Sequence, residues 1–230
     1  MRMNSCSTFA ASMCLIFLAF SDVFVNAKYL DISHEYVPGL PKYDSPTGLG
    51  TFMKDSTSIL KGKDFNTRNF NLSTDCGTHV KAFTDVESLD LTILNGPVLV
   101  VEVPKDKNIT AEVMRSLNIP KGIKRVLFRT LNTKRKLMYK TEFDSSYTGF
   151  QKDGAEWLVK NTSIKLIGLD YLSVGVKPDK GDVYQVLGKD VIPVEGLNLD
   201  KAKPGAYFLQ CLPLRMPEAD AAPTRCILIR

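Results

Sequence analysis

VLVVEVPKDKNITAEVMRSLNIPKGIKRVLFRT, running from Val98 to Thr130, decides the fold class of this chain. Its two ends, 98–103 and 125–130, are short runs rich in Val, Leu and Phe that read as strands. Between them, Thr110 stands as an N-cap ahead of a helix predicted over 111–117, which must end before Pro120. The same alternation extends outward. Further strands are expected at 164–169, 206–212 and 226–229, each bounded by Pro, Gly or charge, and Asp153 is placed to cap a second helix over 154–160. Strands alternating with short helices imply an α/β fold in which at least part of the sheet is covered. The turn-rich stretch 28–75 is expected to hold one or two outer strands and long loops.

Composition sets the outer limits. With 44% hydrophobic and 24% charged residues among 230, the chain has a globular balance that excludes disorder and multi-span membrane architecture. No repeat or linker-like shift interrupts 28–230, which therefore reads as a single domain. The net charge of +5 is spread without a basic block, so nucleic acid is not an expected partner. His34 and His79 are the only histidines, which excludes any mechanism that needs three.

Residues 1–27 read as a removed signal peptide. Arg2 precedes an apolar core, FAASMCLIFLAF, that is shorter than the roughly 20 residues of a spanning helix, and Val25-Asn26-Ala27 offers a cleavage site after Ala27. The expected location is therefore extracellular, with no membrane span after cleavage. Sequons at Asn71, Asn108 and Asn161 become glycan sites in that compartment. Cys6 and Cys14 leave with the signal. Of the rest, Cys211 and Cys226 sit in apolar runs separated by enough chain for an antiparallel return, either as a disulfide or as two small buried hydrophobes. Cys76 is left odd, and an unpaired thiol in an oxidising compartment needs burial, a ligand or a partner.

One polar segment stands apart, Ser73-Thr74-Asp75-Cys76-Gly77-Thr78-His79-Val80-Lys81. Gly-Thr-His places a flexible backbone point, a hydroxyl and an imidazole together, which suits a ligand- or metal-facing turn as well as a hydrogen-bonded structural histidine. Its surroundings carry more. Asp31-Ile32-Ser33-His34, Ser88-Leu89-Asp90-Leu91, Leu94-Asn95-Gly96-Pro97, the run 103–133, Asp153-Gly154-Ala155-Glu156-Trp157-Leu158, Gly168-Leu169-Asp170-Tyr171 and Val194-Glu195-Gly196-Leu197 together resemble the cyclase and kynurenine formamidase family, in its secreted plant cyclase-like branch. The resemblance covers nearly all of 28–230. It implies a single α/β domain with a swivelling β/β/α arrangement, assembled as a dimer or larger homo-oligomer. The activity it implies is metal-dependent hydrolysis of amide bonds, with removal of formate from N-formylkynurenine the best-known case. In the plant branch it implies the extracellular matrix or cell wall.

The family signature, His-x-Gly-Thr-His-x-Asp-x-Pro-x-His with a later His before a helix and a Glu in a Glu-Gly-Leu context, is only partly matched. Gly77, Thr78 and His79 match its middle, and Glu195 matches the late Glu. Asp75 stands at the first His position and Lys81 at the Asp, where an ammonium has donors but no lone pair for a cation. The Pro-x-His end is missing, with Asp85 the nominal occupant of its place. Residues 179–188 hold no His, and Asp182 is the nearest polar substitute. These changes point to a metal-free pocket in which Lys81 pairs with Glu195 or Asp75 and stands in for the cation. Tyr43, Thr78 and Tyr171 are the pocket-lining candidates, with ordinary core or rim positions as the alternative for the two tyrosines.

Three functions compete on these residues. The first is a catalytically impaired family member acting by binding or assembly, without a cofactor. The second is a rearranged amide or lactone hydrolase built on His79, Lys81 or Asp85. In that case Asp75, His79 and Glu195, with Cys76 or Asp182 as weaker ligands, hold Mn²⁺ or Mg²⁺, or Zn²⁺ if the Cys76 thiolate takes part. The third is a subunit that co-assembles with active paralogues.

Overall fold

The computed structural model describes residues 27–230; residues 1–26, with Cys6, Cys14 and nearly all of the expected signal peptide, lie outside them. Ten strands follow in chain order: β1 (Tyr29–Asp31), β2 (Met53–Thr57), β3 (Thr67–Phe70), β4 (His79–Lys81), β5 (Asn95–Glu102), β6 (Arg125–Arg129), β7 (Leu166–Leu169), β8 (Ile192–Glu195), β9 (Gly205–Pro213) and β10 (Ala221–Ile229). Among the described residues, five α-helices lie between them: α1 (Leu91–Leu94), α2 (Ala111–Ser116), α3 (Leu131–Arg135), α4 (Lys152–Asn161) and α5 (Lys180–Leu187). Eight strands form one sheet in the order β1-β10-β4-β8-β7-β6-β5-β9, and β9 pairs back onto β10, closing a barrel. The strands β5 to β8 run parallel, while β9, β10, β4 and β1 pair antiparallel with their neighbours.

The expected strands at 98–103, 125–130, 164–169, 206–212 and 226–229 are all present, several extended by a few residues. Their apolar continuity has a direct cause in the closed sheet. In β6, Val126 and Phe128 face a core shared with α2, α4 and α5, while Leu127 faces the barrel interior with Val98, Leu166 and Val194. A strand covered on both faces alternates between two apolar environments and so loses the polar half of its pattern. Burying Phe128 completely contributes about 1.5–3 kcal/mol.

Both predicted helices form. The Thr110 hydroxyl accepts from the Val113 amide at 3.2 Å, as an N-cap should. The second begins earlier than expected, with Gln151 as its N-cap, because Asp153 is used elsewhere. Its carboxylate accepts from the Ala111 amide at 3.0 Å and ties α4 to the start of α2. Residues 28–75 contain three strands where one or two were expected, because β2 and β3 pair only with each other.

Cys211 and Cys226 lie directly opposite each other across β9 and β10 and are joined by a disulfide with a Cα–Cα distance of 4.3 Å. Both are fully buried in the barrel interior. Of the sequon asparagines, Asn71 is exposed after β3, Asn108 is partly buried, and Asn161 ends α4, where its side chain donates to the Trp157 carbonyl at 2.8 Å. No helix among the described residues is long and apolar enough to cross a membrane.

Candidate functional site

The centre of the site lies on β4 and β8, two strands that the apolar pattern of the sequence does not mark. Antiparallel pairing sets His79 directly opposite Glu195. Adjacent positions on neighbouring strands bring side chains on one face within reach of each other. Here the imidazole Nε2 lies 3.0 Å from Glu195 Oε2, with both side chains about 1% exposed. Nδ1 lies 3.1 Å from the Gly77 carbonyl. Both ring nitrogens therefore lie within hydrogen-bond reach of oxygen atoms.

The other Glu195 oxygen is as fully engaged. Oε1 accepts from the Val174 amide at 2.6 Å and from the Tyr184 hydroxyl. Burial alone would raise this carboxyl's pKa. Hydrogen bonding and charge from His79, with the Tyr184 and Val174 donors, outweigh that effect and hold it below its ordinary value. Tyr184 is in turn within 3.2 Å of the Ser173 hydroxyl, which lies 2.9 Å from the Gly175 carbonyl. Burial first, and then the Glu195 charge, push the Tyr184 phenol well above its usual range, so it remains a donor.

Two glycines let these strands meet. Gly196 has φ +64°, and a Cβ there would lie 2.1 Å from the Gly77 carbonyl oxygen. Gly77 has φ +60°, with the Tyr36 ring where its Cβ would be. Any larger residue at 196 would force the Gly-Thr-His turn away from β8. Thr78 fixes the same junction: its hydroxyl donates to the Gly196 carbonyl at 2.6 Å and accepts from the His34 amide at 2.9 Å. Thr78 is thus a buried strand staple and not a pocket-lining group. His34 is buried as well, and it is its backbone amide that makes this bond.

The remaining candidates divide. Lys81 does not pair with Glu195 or Asp75 as expected: its Nζ lies 3.1 Å from Asp220, which precedes β10. The reason is register, since Lys81 stands opposite Ala221 while Glu195 is already taken by His79. Asp75 is exposed and accepts from the Ser73 hydroxyl. Burial would raise its pKa, but that hydrogen bond and the charges of His79 and Lys81 lower it. Cys76 is a buried free thiol pushed up to about 11, chiefly by burial, the opposite of what a thiolate ligand needs. Asp85 accepts from the Glu87 amide at 3.0 Å and caps a short 3-10 turn.

Asp182 is replaced by a group that the sequence reading missed. It is exposed on α5 and pairs with Lys152 at 3.0 Å. Tyr184 and Lys180 reach inward instead, one helical turn apart and so on a shared face, while a position two residues away points elsewhere. The Lys180 ammonium sits 3.4 Å from the centroid of the Tyr43 ring. Burial first, then the neighbouring Lys81 and Lys177 charges, lower its pKa against the pull of Glu195 and Asp75. Tyr43 packs tilted on Phe143 with centroids 4.6 Å apart, at the rim of the site. Tyr171 is fully buried and its hydroxyl accepts from the Asp144 amide at 2.8 Å, a core position. The i, i+4 spacing of Lys180 and Tyr184 is the sequence signal that marks this inward pair.

This donor set does not fit a divalent cation. His79 and Glu195 spend on each other, and on Gly77, Val174 and Tyr184, the lone pairs that a metal would need. Among the described residues, no group of three or more His, Cys, Asp or Glu side chains is gathered for a metal.

Comparison with known proteins shows the family and the fold. A family profile described as putative cyclase matches residues 30–176. The chain is 53% identical to cyclase-like protein 3 of Arabidopsis thaliana over 88% of its length and 80% of that protein. It is 30% identical to a kynurenine formamidase of Erythrobacter litoralis, covering 86% of this chain and 92% of the relative. Its fold superposes with a TM-score of 0.75 on a predicted metal-dependent hydrolase from Bacillus stearothermophilus, at 24% identity, over 88% of this chain and 98% of the other.

Proposed function

The chain belongs to the cyclase family, which includes kynurenine formamidases, and on that premise we propose that it keeps the family fold without the hydrolytic chemistry and acts by binding or assembly. One observation carries this reading: the buried His79–Glu195 pair, closed at its outer oxygen by Tyr184 and the Val174 amide. A carboxylate and an imidazole already satisfied by each other and by neighbouring groups leave no open coordination position at which a metal lowers the pKa of water. Lys81 adds a positive charge close by and offers no ligand in exchange. The assembly is a homo-oligomer, or a mixed one with active paralogues.

The chain is exported, in this reading to the extracellular matrix or cell wall, after cleavage behind Ala27. The Cys211–Cys226 disulfide supports export, because such bridges persist in oxidising compartments. Terminal sequencing of the protein recovered from culture medium should begin at Lys28; an intact Met1 end would refute cleavage.

The decisive experiment is elemental analysis of the purified protein after exposure to Zn²⁺ and Mn²⁺ and removal of loose metal, run beside an N-formylkynurenine hydrolysis assay. The expected result is substoichiometric metal and no turnover above the uncatalysed rate. Near-stoichiometric metal with turnover abolished in His79→Ala would overturn the reading and establish a rearranged hydrolase.

A further inference from the structure

Beside β1, β9 and β10 the chain carries an open groove of about 1090 Å³, at the upper end of the range that small-molecule sites occupy. Val37, Leu40, Tyr139, Leu212 and Leu214 give it apolar walls, and all of these except Leu40 are exposed. The groove shares no side chain with the His79–Glu195 pair.

Most polar side chains of the groove are already engaged. Asp31 pairs with Arg225, the Tyr139 hydroxyl donates to Asp200 at 2.9 Å, and the Tyr36 hydroxyl donates to the Cys76 carbonyl at 3.0 Å. Ser33 exchanges two hydrogen bonds with the Cys226 backbone, while Asn198 donates to Tyr139 and accepts from the Asp200 amide.

Two groups do not join this network. Thr224 is only 7% exposed, and its hydroxyl has no hydrogen-bond partner among the described residues. In β10 it keeps the phase of Cys226 and Leu228, which face the barrel interior, and it also lines the groove, so it stands where the two spaces meet. A buried hydroxyl without a partner has lost the hydrogen bonds it makes in water, and a ligand that supplies one removes that cost. The second group is Glu35, whose exposed carboxylate is in no ion pair among the described residues. Because Asp31 and Arg225 neutralise each other, Glu35 leaves the groove with an unbalanced negative charge.

We propose that this groove binds a small amphipathic amine, with a hydroxyl at one end that bonds Thr224, an apolar ring or chain along the walls, and an ammonium at the other end that meets Glu35. Each part answers an observation. The buried hydroxyl takes a partner able to donate or accept, the leucine and tyrosine walls take carbon, and the uncompensated carboxylate takes a cation. A carboxylic acid of the same shape is rejected by the Glu35 charge. The site is separate from the His79–Glu195 centre, so the proposal holds whether or not that centre takes up a metal.

The probe is tyramine, whose phenol and ammonium lie at opposite ends of one ring. Its binding to the full exported chain is measured by isothermal titration calorimetry at low salt, with far-UV circular dichroism as a folding control. Tyramine should bind with a submillimolar dissociation constant. Phenethylamine, which lacks the hydroxyl, and tyrosol, which lacks the ammonium, should each bind more weakly. Thr224→Val should weaken tyramine about fivefold, the worth of one hydrogen bond, and leave phenethylamine unchanged. Thr224→Ser should restore the wild-type affinity. Glu35→Gln should weaken tyramine about threefold, the size of an exposed ion pair, and leave tyrosol unchanged. No binding of tyramine at millimolar concentration would overturn the proposal. So would a Thr224→Val protein that binds it as well as the wild type, because the hydroxyl would then be met by water alone. Equal losses for all three compounds in either variant would also overturn it, since they would report a general distortion. Metal content and hydrolysis, measured on the same samples, report on the His79–Glu195 centre and keep a failure of the functional reading distinct from a failure here.

Discussion

The His79–Glu195 centre and the β2–β3 arm are opposite solutions to the same problem. In the centre, buried polar atoms are each matched by a partner from the same chain, and the geometry leaves nothing to recruit. In the arm, backbone hydrogen bonds are satisfied locally while large apolar side chains remain in water. The first region is self-sufficient and its disruption is costly. The second is unfinished, and its disruption should cost little.

That contrast is sharpest in stability. Glu195→Ala leaves the buried His79 ring without its carboxylate partner and strands the Tyr184 and Val174 donors. Breaking one half of a buried pair typically costs about 3–5 kcal/mol. Urea unfolding monitored by circular dichroism should show a loss of this size, and a loss under 1 kcal/mol would mean that the pair is not buried as described. Tyr184→Phe removes a single donor and should cost roughly 1–3 kcal/mol in the same assay. By comparison, Phe65→Ser in the arm should change unfolding of the monomer by less than about 0.5 kcal/mol, as expected of an exposed position. A larger effect there would place Phe65 in the protein's own core.

Acid provides an intermediate test. Burial is the main cause that pushes the His34 pKa down from 6.5 to about 4, partly countered by the Asp200 charge. Between those values the unfolded chain holds a proton that the folded chain does not, so stability rises with pH through this window and is lost as pH falls. The integrated effect is about 3 kcal/mol. Glu195, whose folded pKa is depressed, loses stability in the same direction at lower pH. Midpoints measured from pH 7 to pH 4 should fall steadily in the wild type and less steeply in His34→Asn. Equal slopes would remove His34 as the cause.

The site was less legible in the sequence than the barrel, and the reason is physical. Strands β5, β6 and β7 announce themselves because apolar burial on both faces leaves dense runs of Val, Leu, Ile and Phe, while β9 and β10 bury one apolar face in the barrel interior. Strands β4 and β8 are short and carry His79, Lys81, Pro193 and Glu195, residue types that lower any strand signal. The polar side chains there erase the pattern from which a strand is read.

What the sequence by itself determined was therefore the alternation of strand and helix, the family, and the presence of Gly77, Thr78, His79 and Glu195 in matching contexts. Those properties are local, because they depend on side-chain type and near-neighbour spacing. Only the tertiary structure decided that His79 bonds Glu195 across 116 positions, that Lys81 turns to Asp220, and that Tyr184 rather than Asp182 completes the carboxylate's shell. Each of these choices depends on strand register and on which face of a helix is buried, and both are set by the closure of the barrel.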